Sequence, residues 1–221
     1  MVIPAFYQDI PLKLRKSLRA KYTSFKIRQG EVILTVPELG CVVKALEFLN
    51  SHREYVTTTL EKQRRINYEH ASVLPLLGRE YTVIYNAGLK NEVLIGEGSI
   101  IVSGNKTTAK ARLKIFLVSF LRQKTTELAL QYGKQIGVGF NKIIIRTMLE
   151  RWASCTSRGH LLFSTKLAFT PLWVLEYVVA HEVCHLQEMN HGKKFWHLVD
   201  SIYPNKKAAR LWLKSEGRYI M

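Results

Sequence analysis

Residues 181–191 read His-Glu-Val-Cys-His-Leu-Gln-Glu-Met-Asn-His. This stretch constrains the fold more than any other, because its chemistry requires a helix at its start and a reversal at its end. On a helix turning about 100° per residue, His181 and His185 lie about 40° apart on one face, one turn from each other. Two imidazoles so placed can share one metal ion, and Glu182 between them is rotated away, so that its carboxylate can reach a water on the metal without binding the metal. His191 follows six residues after His185. Three protein ligands with a fourth position open to water is the pattern of a catalytic zinc ion, not a structural one.

A straight helix cannot deliver His191, which would lie about 15 Å further along the axis. The expectation is therefore a helix ending by about Glu188 and a tight reversal near Met189-Asn190. Asn190 and Gly192 are residue types that tolerate left-handed backbone. The alternative for His191 is an N-cap of the next helix. Upstream, Thr170-Pro171 reads as an N-cap followed by proline at the first helical position. The run Leu172–Ala180 is apolar almost throughout, so the helix is expected to be buried on most of its circumference. Histidines and a glutamate on such a helix would be costly without a partner, and a metal supplies one. Cys184, inside this helix, reads as a small buried filler rather than a ligand.

The remainder of the 221 residues is expected to be α+β, with a β-rich N-terminal part (1–104) and a helix-rich, metal-binding C-terminal part (105–221), or one continuous domain. Expected strands are Ser24–Arg28 and Glu31–Val36, paired around Gln29-Gly30, then Glu80–Tyr85, Glu92–Ile95, Ser99–Val102, Lys142–Arg146 and His160–Ser164. Helices are expected from Cys41 to about Arg65, Ala109 to about Tyr132, Lys193 to Ile202 and Asn205 to Ser215. Residues 151–159 read as a polar loop between two strands. The strand His160–Phe163 is a candidate edge for an extended peptide.

The N-terminus lacks the layout of a secretory signal, and the apolar run Leu113–Leu121 contains Lys114 and is too short to span a bilayer. Three cysteines without paired spacing (Cys41, Cys155, Cys184) suit a reduced cytoplasmic setting. Lysine and arginine outnumber aspartate and glutamate by 33 to 17, a formal charge of +16. That excess suits either a polyanionic partner (nucleic acid, nucleotide or acidic peptide) or a solvated basic surface. No helix-turn-helix, zinc-finger or RNA-recognition signature is present.

Three blocks in order, Arg151-Trp152-Ala153-Ser154-Cys155, then Tyr177–Leu186, then Asn190-His191 with Phe195-Trp196, resemble the YgjP-like metal-dependent hydrolases, relatives of the SprT-like and WLM metalloproteases. The N-terminal hairpin and the Leu76-Leu77-Gly78 turn look similar too, so the resemblance covers nearly the whole chain. Ala153 stands where the family usually has glycine, and Phe163-Ser164 where an asparagine is common. The resemblance implies a zincin-like metallopeptidase domain. It also brings nucleoside triphosphate pyrophosphohydrolysis as an alternative activity.

Three functions follow as expectations. The first is a zinc-dependent peptidase with His181, His185 and His191 as ligands and Glu182 as general base. Arg151, with Trp152 and Ser154, would hold substrate, unless Arg151 serves a structural salt bridge. The second keeps the metal and changes the substrate to a nucleotide, although no P-loop is present and aspartate is confined to Asp9 and Asp200. The third is a non-enzymatic, nucleic-acid-associated module braced by zinc, which would need a fourth ligand such as His160 or Cys155.

Overall fold

The computed structural model describes residues 6–7, 10–28, 30–62 and 66–220; Gln29 of the expected hairpin turn and residues 63–65 of the expected helix lie outside them. The chain divides into two compact units, residues 1–65 with 219–221, and residues 66–218. Both are α+β. Gly104, where the seam was expected, lies inside the second unit.

The first unit carries strands β1 (Phe6–Tyr7), β2 (Ile10–Ser17), β3 (Ser24–Arg28) and β4 (Glu31–Pro37) in the order β1-β2-β4-β3. Strict alternation in β4 sends Val32, Leu34 and Val36 to one fully buried face. Helices α1 (Val42–Ser51) and α2 (Arg53–Lys62) replace the single helix expected from Cys41. The break falls at His52, which caps α1 with φ −109° and ψ 16°. Ala45, Leu49 and Val56 complete this core.

The second unit holds the metal-site sequence. Strands β5 (Val73–Leu76), β6 (Arg79–Asn86), β7 (Glu92–Ile95) and β8 (Ser99–Ser103) form a sheet in the order β5-β6-β8-β7. The β5–β6 turn is Leu77-Gly78, both at positive φ (47° and 87°), the mirror-image geometry that matches strand twist. Leu77 is held there by donating its N–H to the Ala168 carbonyl, 2.9 Å away. A Cβ on Gly78 would approach Pro171 Cα to 3.3 Å. The turn thus abuts the start of the histidine helix, so closely that a side chain at Gly78 would press on Pro171.

Helix α3 (Ala109–Ile136) buries Ala109, Leu113, Leu117, Leu121, Thr125, Ala129 and Gly133, a four-residue repeat. Such a repeat drifts about 40° per step on a 3.6-residue helix, so the stripe winds around the axis. It therefore meets successive partners: β7 and β8, then the second sheet and the histidine helix. Thr125 satisfies its buried hydroxyl on the Leu121 carbonyl at 2.9 Å. Gly137, left-handed at φ 70°, stops α3.

The second sheet is β10-β11-β9, from β9 (Lys142–Arg146), β10 (Ala153–Cys155) and β11 (His160–Ser164). The expected polar loop thus contains a strand, Ala153 pairing with Phe163 and Cys155 with Leu161. Its half-buried Ala-Ser-Cys sequence offers no apolar alternation to reveal it. The expected peptide edge at His160–Phe163 is corrected too. β11 has β9 on one side and β10 on the other, so its backbone is already paired. After a 3₁₀ segment, Thr165–Phe169, come α4 (Leu172–Cys184), α5 (Lys193–Ile202) and α6 (Lys206–Ser215), with α5 and α6 both packed on α4. Among the described residues, no helix is long and apolar enough to cross a membrane.

Candidate metal centre

Helix α4 is the histidine helix, and nine of its thirteen residues are buried, from Val174 to Cys184. Its start differs from the expectation: Pro171 is the N-cap, and Thr170 closes the preceding 3₁₀ segment, donating its hydroxyl to the Leu167 carbonyl at 2.9 Å. Its end comes earlier too. The last helical residue is Cys184, and His185 caps the helix. The chain then tightens, with Leu186 N–H on the Val183 carbonyl and Glu188 N–H on the Cys184 carbonyl. The reversal follows at Met189–His191, where Gly192 N–H closes on the Asn190 carbonyl at 2.7 Å. Neither Asn190 nor Gly192 takes the left-handed backbone expected of it. Gly192, not His191, is the N-cap of α5, and this leaves the His191 side chain free to face α4.

The reversal brings the three imidazoles together. One nitrogen from each of His181, His185 and His191 lies within 4.8 Å of the others. His181 Nε2 and His191 Nε2 are 3.1 Å apart. Tetrahedral ligands at the zinc–nitrogen distance would stand about 3.3 Å apart, so this spacing suits one ion. His185 is 8% exposed, and its Nδ1 meets the Glu188 carbonyl at 3.0 Å, which turns Nε2 into the cluster.

Phe195 on α5 floors the cluster. It is fully buried, with ring centroids 4.9, 4.5 and 4.8 Å from His181, His185 and His191. Trp196 stacks on His191 at 5.7 Å. Val199, one turn beyond Phe195, is fully buried as well. Cys184 is the buried filler expected of it, with no exposure.

The electrostatics fit a metal. Burial drives the His181 pKa down to about 3, helped by His185, His191 and Arg210, so the imidazole is neutral and ready to donate a lone pair. His185 is lowered for the same first reason, burial. Glu182 is 6% exposed, and burial raises its carboxyl to about 8, opposed by the charge of Arg151. Two buried polar atoms, His181 Nδ1 and Glu182 Oε2, lack any hydrogen-bond partner. Atoms left unpaired at this depth are costly, so both point to a partner that the chain itself does not supply.

The other expected residues fall around this centre. Arg151 is exposed, makes no ion pair among the described residues, and acts on Glu182 through its charge. Trp152 is half-buried, its ring at Gly217, while its carbonyl accepts from Ser164 N–H at 2.8 Å. Ser154 sits mid-strand on β10 opposite Leu162. Cys155 feels the Glu182 charge, and burial raises its thiol to about 11. Neither Cys155 nor His160 joins the histidine cluster that could hold a metal. Sequence reasoning gave no role to Tyr177, whose ring lies 5.9 Å from His181, or to Lys206 and Arg210 on α6, both over Trp196. The four-residue offsets, 177 to 181 and 206 to 210, were the available signal.

Two solved structures are similar to part of this chain. The metallopeptidase zymogen abylysin of Pyrococcus abyssi is 19% identical with a TM-score of 0.38, over 42% of this chain and 95% of that one. The metallopeptidase zymogen jannalysin of Methanocaldococcus jannaschii is 21% identical with a TM-score of 0.34, over 42% and 91%. No curated protein sequence matches the chain. The YgjP-like metallopeptidase-domain model matches residues 21–216, nearly the whole length. The chain therefore belongs to the YgjP-like metallopeptidase family and is a metal-dependent hydrolase with a divalent-metal centre.

Proposed function

We propose that the protein is a zinc peptidase in which His181, His185 and His191 hold the ion and Glu182 is the general base. The observation that carries this reading is the joining of a three-imidazole cluster to a buried carboxyl with a free oxygen. A zinc ion held there would supply a Lewis acid that polarises a peptide carbonyl and acidifies water.

The chain's own groups do the rest. Glu182 Oε2, free of partners, accepts the proton of the attacking water and passes it to the leaving amine. The exposed Arg151 guanidinium, whose charge reaches Glu182, suits the substrate carbonyl oxygen. Trp152 and Ser154 lie on the same segment and would border the substrate.

The peptide edge moves to β10. Among the described residues β10 pairs with β11 alone and packs against α4. Trp152 and Thr156 bond back to β11, so Ala153 and Cys155 direct their backbone groups to the unpaired side. An extended peptide could add there as a strand.

The test compares two substrates on the zinc-loaded protein: an unfolded polypeptide, followed by the appearance of new N-termini, and nucleoside triphosphates, followed by pyrophosphate release. Peptide cleavage abolished by Glu182→Gln is the expected result. Pyrophosphate release that depends on Glu182, with no peptide cleavage, would replace the peptidase by a nucleotide hydrolase.

A further inference from the structure

Of the three histidines, His191 has the least holding it. It is exposed and lies beyond the end of α4. Its hydrogen-bonding geometry among the described residues is confined to Nε2, facing His181. A ligating imidazole is ordinarily oriented by a hydrogen bond from its second nitrogen, as His185 is by the Glu188 carbonyl. His191 instead lies against Trp196, with planes 28° apart and centroids 5.7 Å apart.

Trp196 is in turn engaged from α6. The Arg210 guanidinium carbon is 4.8 Å from the indole centroid and Lys206 Nζ is 5.3 Å from it. Residues four apart share one flank of a helix, so both cations approach from the same side chain row. Lys206 is already ion-paired with Asp200 on α5, the helix that carries Trp196. Arg210 is exposed and has no ion pair among the described residues, and its planar guanidinium is the better shape for covering a ring.

We propose that Arg210 is a positioning residue of the metal centre: seated on Trp196, it holds the indole against His191 and so fixes the orientation of the third imidazole. This rests on His191 being a ligand. Contact through aromatic faces then replaces, for this histidine, the hydrogen bond that orients His185. Because Arg210 is on the surface, it can be changed without opening the core.

The experiment uses the full chain and reads metal binding, not turnover. Zinc affinity is measured by competition with a chromophoric chelator, ligand geometry by the visible absorption of the cobalt-substituted protein, and folding by the thermal midpoint of the metal-free chain. Arg210→Gln should weaken zinc binding about tenfold and alter the cobalt spectrum, with the metal-free midpoint unchanged. Arg210→Lys, which keeps a cation over the ring but loses the planar guanidinium, should fall between Arg210→Gln and wild type. Lys207→Gln removes the same charge from the neighbouring helical turn without touching Trp196, and should bind as wild type. Wild-type affinity in Arg210→Gln, an equal loss in Lys207→Gln, or a lowered metal-free midpoint in Arg210→Gln would overturn the proposal. His191→Ala separates the two levels. If it too binds zinc as wild type, the ligand assignment falls and the positioning role with it; if it alone loses zinc, only the role of Arg210 is overturned.

Discussion

His181 Nε2 and His191 Nε2 stand 3.1 Å apart although ten positions separate them, because the chain reverses between Glu188 and Gly192 and returns the third imidazole to the first. In the metal-free chain the pair has hydrogen-bond geometry, and the same spacing lets both nitrogens bind one ion. His191→Ala should therefore weaken zinc binding at least about 100-fold. The metal-free thermal midpoint should hardly move, since the side chain is exposed. Chelator competition and differential scanning calorimetry measure the two quantities.

Phe195 sits under all three imidazoles and is fully buried. Phe195→Ala opens a cavity at that point and should cost about 3–5 kcal/mol in urea unfolding of the metal-free chain. Phe195→Leu keeps most of the volume, and should lose less stability and retain zinc. Equal destabilisation by the two variants would show that ring shape matters there beyond filled space.

The thiols should separate by reactivity. Cys41 is exposed, and backbone N–H groups of Lys44 and Val43 at the start of α1 lower its pKa. Burial raises Cys155 to about 11 and Cys184 to about 12. At pH 8 a thiol of pKa 11 is about 0.1% thiolate, so iodoacetamide should label Cys41 well ahead of the other two. Raising the pH should narrow the gap, because the fraction of reactive thiolate grows only below each group's pKa. Peptide mapping by mass spectrometry reads the order. Equal rates in the folded protein would contradict these environments.

The histidine cluster proposed to hold the metal was legible because chemistry demands fixed spacing, and α5 was found at Lys193–Ile202 because Phe195, Trp196 and Val199 mark one face. Strands β3, β7, β9 and β11 carry enough apolar or β-branched residues to set their own limits. Strand β2 escaped notice: Ile10–Ser17 mixes Lys13, Arg15 and Lys16 with its apolar residues and reads as a basic segment, yet Ile10 and Leu12 are buried. Strand β10 escaped because Ala-Ser-Cys has little strand propensity, and it exists through pairing with β11. The same limit misplaced the peptide edge. A strand's composition shows that it will pair, whereas its neighbours depend on topology. The helix end also needed the tertiary fold, since His185 leaves α4 where its Nδ1 meets the Glu188 carbonyl.

The central claim is that the imidazoles hold the metal while Glu182 moves the proton. One preparation of Glu182→Gln, measured for both zinc content and cleavage of an unfolded polypeptide, tests it most directly. Glutamine keeps the shape and gives up the basic oxygen, so about one zinc per chain should remain while turnover falls by about 10³-fold. Wild-type cleavage by the zinc-loaded variant would contradict the account.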